Sequence, residues 1–554
     1  MTSTLPTSSS HDPAAFGPAL ADVAAGMARH PLSALKVGAR LGASLTRASI
    51  ETAARALGRE DSPALSPSPG DRRFSDPAWD SSAWFLGQRQ AYLAWTRCLR
   101  DLPAAAGLEG REAEKADFAL GLAADALAPT NFAWGNPTAL RKAVETRGSS
   151  AIDGAANFVD DVAANSARPR QVDSSGFEVG TNLACTPGNV VYRNELFELI
   201  QYGSQTETTF EVPLLLSPPW INRYYIMDLA PGKSFAEWAV SHGHTTFAIS
   251  YRNPDESMRA VDLDDYMLRG LGTAVDVVCE ITGADRVNVA GLCVGGTLAV
   301  MTSAYLAQVG DERIASLTLL NTLLDFSEPG PLGAFTDADA VAGVEERMAE
   351  TGFLDGRELA NTFDLLRSND LIWNYVGRNW LMGESPPAFD ILAWNADATG
   401  VPEATHSSYL RAFYLENRLA GGVMTMGGRR LVLDDIQADT YVLAAESDHI
   451  TPWKSSYATT GLLGSPLRFV LSSAGHIAGI VNPPGPRRKY WTNDDLPSES
   501  EEWRAGAVQH EGSWWQDWAT WIEGRAGTRR RPPNRTGSTT HPVLADAPGT
   551  YVHG

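Results

Sequence analysis

The stretch Val287-Asn-Val-Ala-Gly-Leu-Cys-Val-Gly-Gly-Thr-Leu-Ala-Val-Met301 joins an apolar β-type run, a glycine-rich turn and a second apolar run. This order predicts a strand, a sharp turn and a helix, the arrangement of a nucleophile elbow with Cys293 in the place of the usual serine. Gly291 and Gly295 suit such a turn because neighbouring backbone can pass them without meeting a Cβ atom. Taken alone, the motif also fits a buried structural cysteine.

Two later stretches have strand character and end near a side chain that suits a catalytic partner. Residues 440–445 precede Asp448, and residues 468–471 precede His476. Proteins with this elbow carry nucleophile, acid and base in that order along the chain. The sequence therefore predicts a catalytic triad of Cys293, Asp448 and His476.

The backbone N–H groups that would stabilise an oxyanion are predicted from the same pattern. The residue after the nucleophile supplies one donor, which here is Val294. The second comes from the loop after an early strand at 212–217, and Ile221 is the candidate, with Trp220 as the alternative. Pro218 and Pro219 in this loop fit a purely structural interpretation as well.

The remaining chemically notable residues are predicted to be structural. His449 is interpreted as a neighbour of Asp448, because Asp448 already fits the position of the acid. The cysteines Cys98, Cys185 and Cys279 lack partner patterns and are expected to be core or inert thiols. The four cysteines show neither disulfide nor zinc spacing, so we expect no metal site.

Short β-rich runs alternate with helical patterns after about residue 205, which predicts an α/β fold with a mostly parallel sheet. The predicted domains are a mobile leader at 1–70, a helical N-terminal domain at 71–205 and a catalytic domain at 206–554. Strand signals lapse at about 322–430, and we expect a helical cap insertion there, because structureless loops of that length are uncommon. A tryptophan stripe at 514–521 is interpreted as a helix docked on the core, with a lipid or polymer contact as the alternative.

Composition excludes several classes of partner. The chain has 554 residues, 44% of them hydrophobic and 20% charged, and no apolar run approaches the length of about 18 residues that a membrane span needs. A formal net charge of −21 disfavours nucleic acid. The N-terminus lacks the features of a secretory signal, so we expect a cytoplasmic protein.

Sulfur in the nucleophile position favours acyl transfer over hydrolysis. Attack of a thiolate on a thioester exchanges one thioester for another at little free-energy cost, so the acyl group stays activated for transfer to an alcohol. A thiol needs help to react, since a free cysteine has a pKa of about 8.5. His476 can take the thiol proton, while Asp448 orients the imidazole and stabilises its cation.

Several segments resemble the polyhydroxyalkanoate synthases of the single-subunit type, and the similarity spans about 74–521. The elbow Gly291-Leu-Cys-Val-Gly-Gly-Thr297 resembles the lipase-like box of this family. The other matching segments are Pro129-Thr-Asn-Phe132, Phe177-Glu-Val-Gly-Thr-Asn182, Pro218-Pro-Trp-Ile-Asn-Arg-Tyr-Tyr-Ile-Met-Asp228, Ser250-Tyr-Arg-Asn-Pro-Asp255, Phe389-Asp-Ile-Leu-Ala-Trp-Asn395, Asp448-His-Ile-Thr-Pro-Trp453 and Gly475-His-Ile-Ala-Gly-Ile-Val-Asn-Pro-Pro484.

The resemblance implies an α/β-hydrolase fold and a polymerase of (R)-3-hydroxyacyl-CoA, with 3-hydroxybutyryl-CoA as the expected monomer. It implies Cys293 as the acylated nucleophile, His476 as its base and Asp448 as the third member, which also helps to deprotonate the 3-hydroxyl of the monomer. The products are a polyester and free CoA, and CoA is a leaving group, so no cofactor is implied. The family also implies a homodimer at the surface of cytoplasmic polymer granules.

Two other functions fit parts of the sequence. A cysteine hydrolase of the dienelactone type has the same elbow, but it would not explain the long N-terminal domain and the insertion. A non-catalytic granule-bound structural protein would not need an intact triad. For the phosphates of CoA, Arg252 is a candidate, with a structural ion pair as the alternative interpretation.

Overall fold

The computed structural model of the chain describes residues 16–59, 63–165 and 168–554. The chain divides into two compact units. The first takes in the described residues up to Asp173 together with Gly333–Phe335 and Asn361–Ala388, and the second comprises Ser174–Leu332, Thr336–Ala360 and Phe389–Gly554. Within the described residues, no helix combines the length and the apolar character that crossing a membrane would require.

The first unit is helical. Its helices up to residue 165 are α1 (Gly17–Arg29), α2 (Pro31–Ala56), α3 (Ala78–Ser81), α4 (Ala83–Ala105), α5 (Gly110–Ala126), α6 (Pro137–Glu145) and α7 (Ser149–Asn165). One apolar core includes Trp79, Phe74 and Tyr92, and a second forms around Val23 and Ala106.

Helices α1 and α2 correct the prediction of a mobile leader for residues 17–56. Helix α2 packs along α4, and α1 contacts α5. At Gly26 of α1, an added Cβ would lie 2.4 Å from the carbonyl oxygen of Ala106, which caps the end of α4, so the close approach of α1 to the end of α4 depends on glycine. Alanine-rich composition suggested a leader, but alanine is also the best helix former. Residues 1–15 of the predicted leader lie outside the described residues.

The strands of the chain are β1 (Gly188–Arg193), β2 (Phe197–Tyr202), β3 (Thr209–Phe210), β4 (Leu214–Ser217), β5 (Thr246–Tyr251), β6 (Val287–Leu292), β7 (Ile314–Leu320), β8 (Phe353–Leu354), β9 (Val401–Pro402), β10 (Thr425–Met426), β11 (Arg429–Arg430), β12 (Asp439–Ala445), β13 (Leu467–Ser472), β14 (Lys489–Thr492), β15 (Val508–Glu511), β16 (Arg529–Arg530) and β17 (Ala545–Asp546). The further helices are α8 (Phe235–Ser241), α9 (Leu263–Asp265), α10 (Thr273–Thr282), α11 (Val294–Gln308), α12 (Ala338–Thr351), α13 (Gly356–Leu366), α14 (Asp390–Ala396), α15 (Glu403–Tyr409), α16 (Trp453–Tyr457), α17 (His476–Ile480), α18 (Ser500–Gly506) and α19 (Trp514–Glu523).

Eleven strands form the main sheet of the second unit, in the order β15-β14-β13-β12-β7-β6-β4-β5-β2-β1-β17. The six central strands, from β13 to β5, pair in parallel, and the flanking strands pair antiparallel. The predicted mostly parallel sheet is confirmed in this central part. Because β6, β12 and β13 run in the same direction, their carboxyl ends meet at one edge of the sheet, where sites on such sheets lie.

The predicted boundary at residues 205 and 206 differs from the structure, because β1 and β2 precede it and belong to the main sheet. All six residues of β2 are buried, including Glu198 and Gln201. Glu198 and Gln201 lie three residues apart in an apolar run, and this spacing suggests a helix. Periodicity alone does not distinguish a buried strand from a helix. Glu198 is tolerated because it pairs with Arg193 and accepts the backbone N–H groups of Thr550 and Tyr551.

The chain between β7 and β12 contains helices α12 to α15, as the lapse of strand signals predicts, with only the short strands β8 to β11. The structure divides this segment, since residues 333–335 and 361–388 belong to the first unit. In the second unit, a π-helical turn at Leu410–Leu415 directly continues α15.

Helix α19 confirms the interpretation of the tryptophan stripe as a docked helix. Trp514, Trp515 and Trp518 are buried, and all three rings pack against Phe235 of α8. The indole N–H groups of Trp514 and Trp515 donate to the carbonyl oxygens of Gly479 and Ile480 at 2.8 and 2.9 Å. The short helix α17 is therefore tied to the core of the second unit.

Candidate active site

Cys293 lies between β6 and α11, at the predicted turn. Its backbone has φ 51° and ψ −124°, a conformation that costs a non-glycine residue free energy and is found mostly where the surroundings impose it. An added Cβ on Gly291 would lie 2.5 Å from the Cα atom of Gly296, and one on Gly295 would lie 2.3 Å from the carbonyl oxygen of Ser217. Both glycines are therefore sterically required, as the sequence predicted.

Asp448 and His476 follow β12 and β13, and the structure brings their side chains together. The Nδ1 atom of His476 lies 2.6 Å from Oδ2 of Asp448. The other carboxylate oxygen of Asp448 accepts the backbone N–H groups of Ile450 and Thr451 at 2.8 and 2.9 Å. The Thr451 hydroxyl donates to Oδ2 of Asp448 at 2.7 Å. The carboxylate is thus fixed from both sides.

The imidazole of His476 connects the acid to the sulfur. Besides the contact of Asp448 with His476, the nearby Cys293 also raises the pKa of the His476 imidazole. The amide of Asn321, at the end of β7, donates to the backbone carbonyl of His476 at 2.6 Å. We call Cys293, Asp448 and His476 the strand-end cluster, since each residue follows a parallel strand of the main sheet.

Electrostatics in the strand-end cluster favours a protonated imidazole. Burial lowers the pKa of His476, but the charge and hydrogen bond of Asp448 and the contact with Cys293 outweigh burial and raise the pKa to about 10. Burial also raises the pKa of Asp448, yet His476 and Thr451 reverse this effect and hold that pKa below its ordinary value. At neutral pH the cluster therefore places a positive charge beside the sulfur and a negative charge behind the imidazole.

Of the predicted oxyanion donors, Val294 belongs to the elbow and Ile221 lies in the loop after β4. Val294 is the first residue of α11, so helix geometry leaves its N–H without a partner inside the helix. Ile221 lies in the loop after β4, which contacts the elbow where the Ser217 hydroxyl donates to the carbonyl oxygen of Gly295 at 3.1 Å. That these two N–H groups receive an oxyanion stays a prediction.

The sequence did not reveal a second group of side chains beside Cys293. The hydroxyls of Tyr409 and Tyr414 lie 3.4 Å apart, and the pKa of each is raised, mainly by burial and further by the nearby Cys293. Phe326 packs against both tyrosine rings and against Phe413, with ring centroids 5.1 to 6.2 Å apart. We call Phe326, Tyr409, Phe413 and Tyr414 the aromatic wall.

The other candidates from the sequence lie outside this site or have structural partners. Burial raises the pKa of the three thiols Cys98, Cys185 and Cys279, which fits the prediction that they are inert. Arg252 forms an ion pair with Asp255, as in the structural interpretation of that residue. In the part of the chain that the structure describes, no group of histidine, cysteine and acidic side chains could hold a metal ion.

Comparison with known proteins places the chain in a family. A family profile described as "Poly-beta-hydroxybutyrate polymerase (PhaC) N-terminus" matches residues 70–239, and one described as "alpha/beta hydrolase fold" matches residues 220–483. A "Poly(3-hydroxyalkanoate) polymerase" of Methylorubrum extorquens is 43% identical over 529 residues, which are 95% of this chain and 87% of the relative. The chain belongs to the poly(3-hydroxyalkanoate) polymerase family.

A further relative supports membership of the polymerase family. The "Poly(3-hydroxyalkanoate) polymerase subunit PhaC" of Cupriavidus necator is 43% identical and covers 87% of this chain and 83% of the relative. Among solved structures, Epoxide Hydrolase A from Mycobacterium thermoresistibile is 15% identical, with 53% of this chain and 93% of that chain covered at a TM-score of 0.33. The predicted resemblance to this polymerase family, the α/β-hydrolase fold and the polymerase function are confirmed.

Two positioning residues of the strand-end cluster were missed from the sequence. Thr451 lies only three residues after Asp448, inside the segment Asp448-His-Ile-Thr-Pro-Trp453 that the sequence already singled out. Asn321 carried none, because its contact with His476 joins residues 155 positions apart.

Proposed function

We propose that the chain polymerises (R)-3-hydroxyacyl-CoA, with 3-hydroxybutyryl-CoA as its preferred monomer, and carries the acyl group as a thioester on Cys293. The observation that carries this proposal is the contact of Asp448 with His476 at 2.6 Å, with Cys293 on the neighbouring elbow turn raising the pKa of the His476 imidazole. A cysteine with a protonated imidazole beside it suits thioester exchange, since the thiolate is the reactive form of a cysteine.

In the first step the sulfur of Cys293 attacks the thioester carbonyl of the monomer. The bond between that carbonyl carbon and the sulfur of CoA breaks, and His476 supplies the proton that CoA needs to leave as a thiol. Asp448 stabilises the imidazolium and keeps Nδ1 of His476 directed towards itself, so the other ring nitrogen faces the reaction. The N–H groups of Val294 and Ile221 are the proposed donors to the oxyanion.

In the second step the 3-hydroxyl of another hydroxyacyl-CoA attacks the thioester on Cys293. An oxyester forms, the carbon–sulfur bond to Cys293 breaks, and the hydroxyl proton passes to the neutral imidazole of His476, with Asp448 assisting. The lengthened chain, now attached to CoA, returns to Cys293 by a further thioester exchange. Each cycle adds one monomer and releases one CoA, and the proposal requires neither a metal nor a cofactor.

Purified protein with 3-hydroxybutyryl-CoA tests this reaction if thiol release and turbidity are followed together. The proposal predicts that both signals rise, with one thiol for each monomer in the polymer. Thiol release without polymer would support a cysteine hydrolase instead, and neither signal would support a non-catalytic granule protein.

We also propose that the active form is a homodimer at the surface of polymer granules, which family resemblance supports. Light scattering of the purified protein at several concentrations, with and without substrate, would measure its mass. Sedimentation with the polymer formed in the assay would measure granule attachment. A monomer throughout, or a protein that stays entirely in the supernatant, would contradict this part of the proposal.

A further inference from the structure

The loop after β4, which carries Ile221, is held against the elbow where the loop begins. We call residues 218–223 the β4 loop. The Ser217 hydroxyl, at the end of β4, donates to the carbonyl oxygen of Gly295 at 3.1 Å. An added Cβ on Gly295 would lie 2.3 Å from the carbonyl oxygen of Ser217 and 2.5 Å from that of Pro218, so the two backbones are in contact. The elbow therefore fixes the first end of the β4 loop.

The other end of the β4 loop is held through Arg223, two residues after Ile221. Arg223 is buried, and three nitrogens of its guanidinium have partners. Nε donates to Oδ1 of Asp397 at 3.1 Å, Nη1 to the backbone oxygen of Tyr551 at 3.2 Å and Nη2 to that of Gly554 at 2.6 Å. A rigid fork of donors fixes direction as well as position, which a lysine ammonium does not.

The aspartate side of this contact is itself anchored. Asp397 also accepts the hydroxyl of Tyr225 at 2.8 Å. The indole N–H of Trp394, in α14, donates to the carbonyl oxygen of Arg223 at 2.8 Å. Both the side chain and the backbone of Arg223 are therefore fixed.

The other acceptors belong to residues 550–554, which we call the clamp segment. Glu198 of β2 is completely buried and accepts the backbone N–H groups of Thr550 and Tyr551 at 2.8 and 2.9 Å. It also accepts the Thr550 hydroxyl at 2.9 Å. Val552 is 3% exposed, so the clamp segment is held by apolar burial as well. Hydrogen bonds to a carboxylate are strong ones, and they tie the clamp segment to the main sheet.

Between its two fixed ends the β4 loop contains a strained residue. Asn222 has φ 64°, in the left-handed region that costs a non-glycine residue free energy. Such conformations persist where the surroundings impose them. Asn222 directly follows Ile221, so loss of the contacts at Arg223 would let the backbone relax next to the predicted oxyanion donor.

We propose that Arg223 and the clamp segment position the N–H of Ile221 for the oxyanion that forms when an acyl group moves to or from Cys293. This inference rests on the proposed function and adds to it residues 328 positions away from Arg223 in the sequence. All of them belong to the second unit. Arg223 and the clamp segment are positioning residues, because they hold the loop that carries the donor and do not bind the substrate.

A comparison of acyl transfer with alkylation of Cys293 in the full-length protein tests the inference. Acyl transfer forms an oxyanion, whereas alkylation of the thiolate by iodoacetamide forms none. In Arg223→Ala we expect kcat for CoA release from 3-hydroxybutyryl-CoA to fall about 30-fold, since outright loss of an oxyanion donor costs roughly 10²- to 10³-fold. KM should change by less than about threefold, because the lost interaction is made in the transition state. The rate and the pH dependence of alkylation should stay as in wild-type protein.

A change on the other side of the same contact sharpens the test. Val552→Asp places a charge where a buried apolar side chain of the clamp segment lies, so it should displace the segment. We expect the same loss of kcat with unchanged alkylation. The double variant with Arg223→Ala should lose no more than the more damaged single variant, because both changes remove one contact. Arg223→Lys keeps a charge beside Asp397 without the fork and should lose about fivefold.

Arg525→Ala is the matched control. Arg525 also pairs with an aspartate and a backbone oxygen, since it donates to Asp439 at 2.9 Å and to the carbonyl oxygen of Trp521 at 2.8 Å. Asp439 begins β12, whereas Asp448 follows the other end of that strand. We expect wild-type kcat in this variant. Thermal unfolding shows which variants are folded, and Arg223→Lys carries the test if Arg223→Ala does not fold.

Each other outcome has a distinct meaning. Unchanged kcat in folded Arg223→Ala or Arg223→Lys would overturn the inference. Equal losses of acyl transfer and alkylation would also overturn it, because the variants would then disturb Cys293 itself. Additive losses in the double variant would show that Arg223 and the clamp segment act separately, which contradicts the inference. Wild-type protein that releases no CoA would instead overturn the proposed function.

Discussion

The strand-end cluster and the aromatic wall belong to the same unit of the chain, but they are held in different ways. Asp448 and His476 are joined by a short hydrogen bond at 2.6 Å and fixed by further backbone contacts. The rings of Tyr409 and Tyr414 pack against Phe326, and their hydroxyls lie 3.4 Å apart. The difference suggests two tasks, since proton transfer needs fixed partners whereas substrate binding needs hydroxyls that can turn towards a ligand.

The largest expected effect comes from removing the sulfur of the strand-end cluster. In Cys293→Ala we expect polymer formation to fall by on the order of 10⁶-fold, to the background of the assay, because the acyl group has no atom to which it can bind. The measurement is CoA release from 3-hydroxybutyryl-CoA. Cys279→Ala, which removes a half-buried thiol from α10, should keep most of the activity. The reverse pattern would make Cys279 the nucleophile.

A smaller loss is expected when the acid of the strand-end cluster loses its charge. Asp448→Asn should lower kcat by about 10⁴-fold, because an amide does not stabilise the imidazolium and favours the wrong tautomer of His476. Initial rates of CoA release give kcat and KM. If Asp448→Asn kept more than about a tenth of the wild-type kcat, Asp448 would not be a catalytic residue.

These two variants concern side chains that were readable in the sequence, and the reason is local. Each member of the strand-end cluster follows a strand that has its own apolar run, and the glycine turn of the elbow is a short motif. The carboxyl ends of three parallel strands meet at one edge of the sheet, and this does not depend on the rest of the chain. The parallel centre of the sheet was predictable for the same reason.

The aromatic wall was not readable, because its geometry depends on a π-helical turn that has no sequence signature. The spacing of Tyr409 and Tyr414 predicts different faces of a regular helix. Phe326 joins them from the loop after β7, where its N–H donates to the side chain of Asn417 at 3.0 Å across 91 positions. Strand β2 was missed for a related reason, since its buried Glu198 depends on partners at Thr550 and Tyr551.

A change in the packing of the aromatic wall should affect substrate choice more than proton transfer. Phe326→Leu keeps an apolar side chain but loosens both tyrosine rings, so we expect the preference for 3-hydroxybutyryl-CoA over butyryl-CoA to fall about threefold. The pH dependence of Cys293 alkylation by iodoacetamide should stay as in wild-type protein. Phe247→Leu is the control, since this fully buried residue of β5 lies in the sheet and should cost stability without changing the preference. If the pH dependence of Cys293 alkylation shifted in Phe326→Leu, the aromatic wall would also affect proton transfer, and the two regions would not have separate tasks.

A further effect, on stability rather than on rate, is expected from His476. Its pKa in the folded protein is about 10, above the value of about 6.5 in an unfolded chain. The stabilisation is therefore complete below about pH 6.5 and is lost as the pH rises through about 10. Thermal unfolding of wild-type protein and His476→Gln should show that the advantage of the wild type shrinks between these two pH values. A constant or growing advantage over this range would contradict the raised pKa.

The most direct test of the account is the location of the acyl group during turnover. Wild-type protein is mixed briefly with 3-hydroxybutyryl-CoA, quenched in acid and digested, and the modified peptide is identified by mass spectrometry. The account predicts one thioester-linked hydroxybutyryl group or its oligomers on Cys293, which neutral hydroxylamine removes. CoA release with no adduct, or an adduct on a residue other than Cys293, would contradict it.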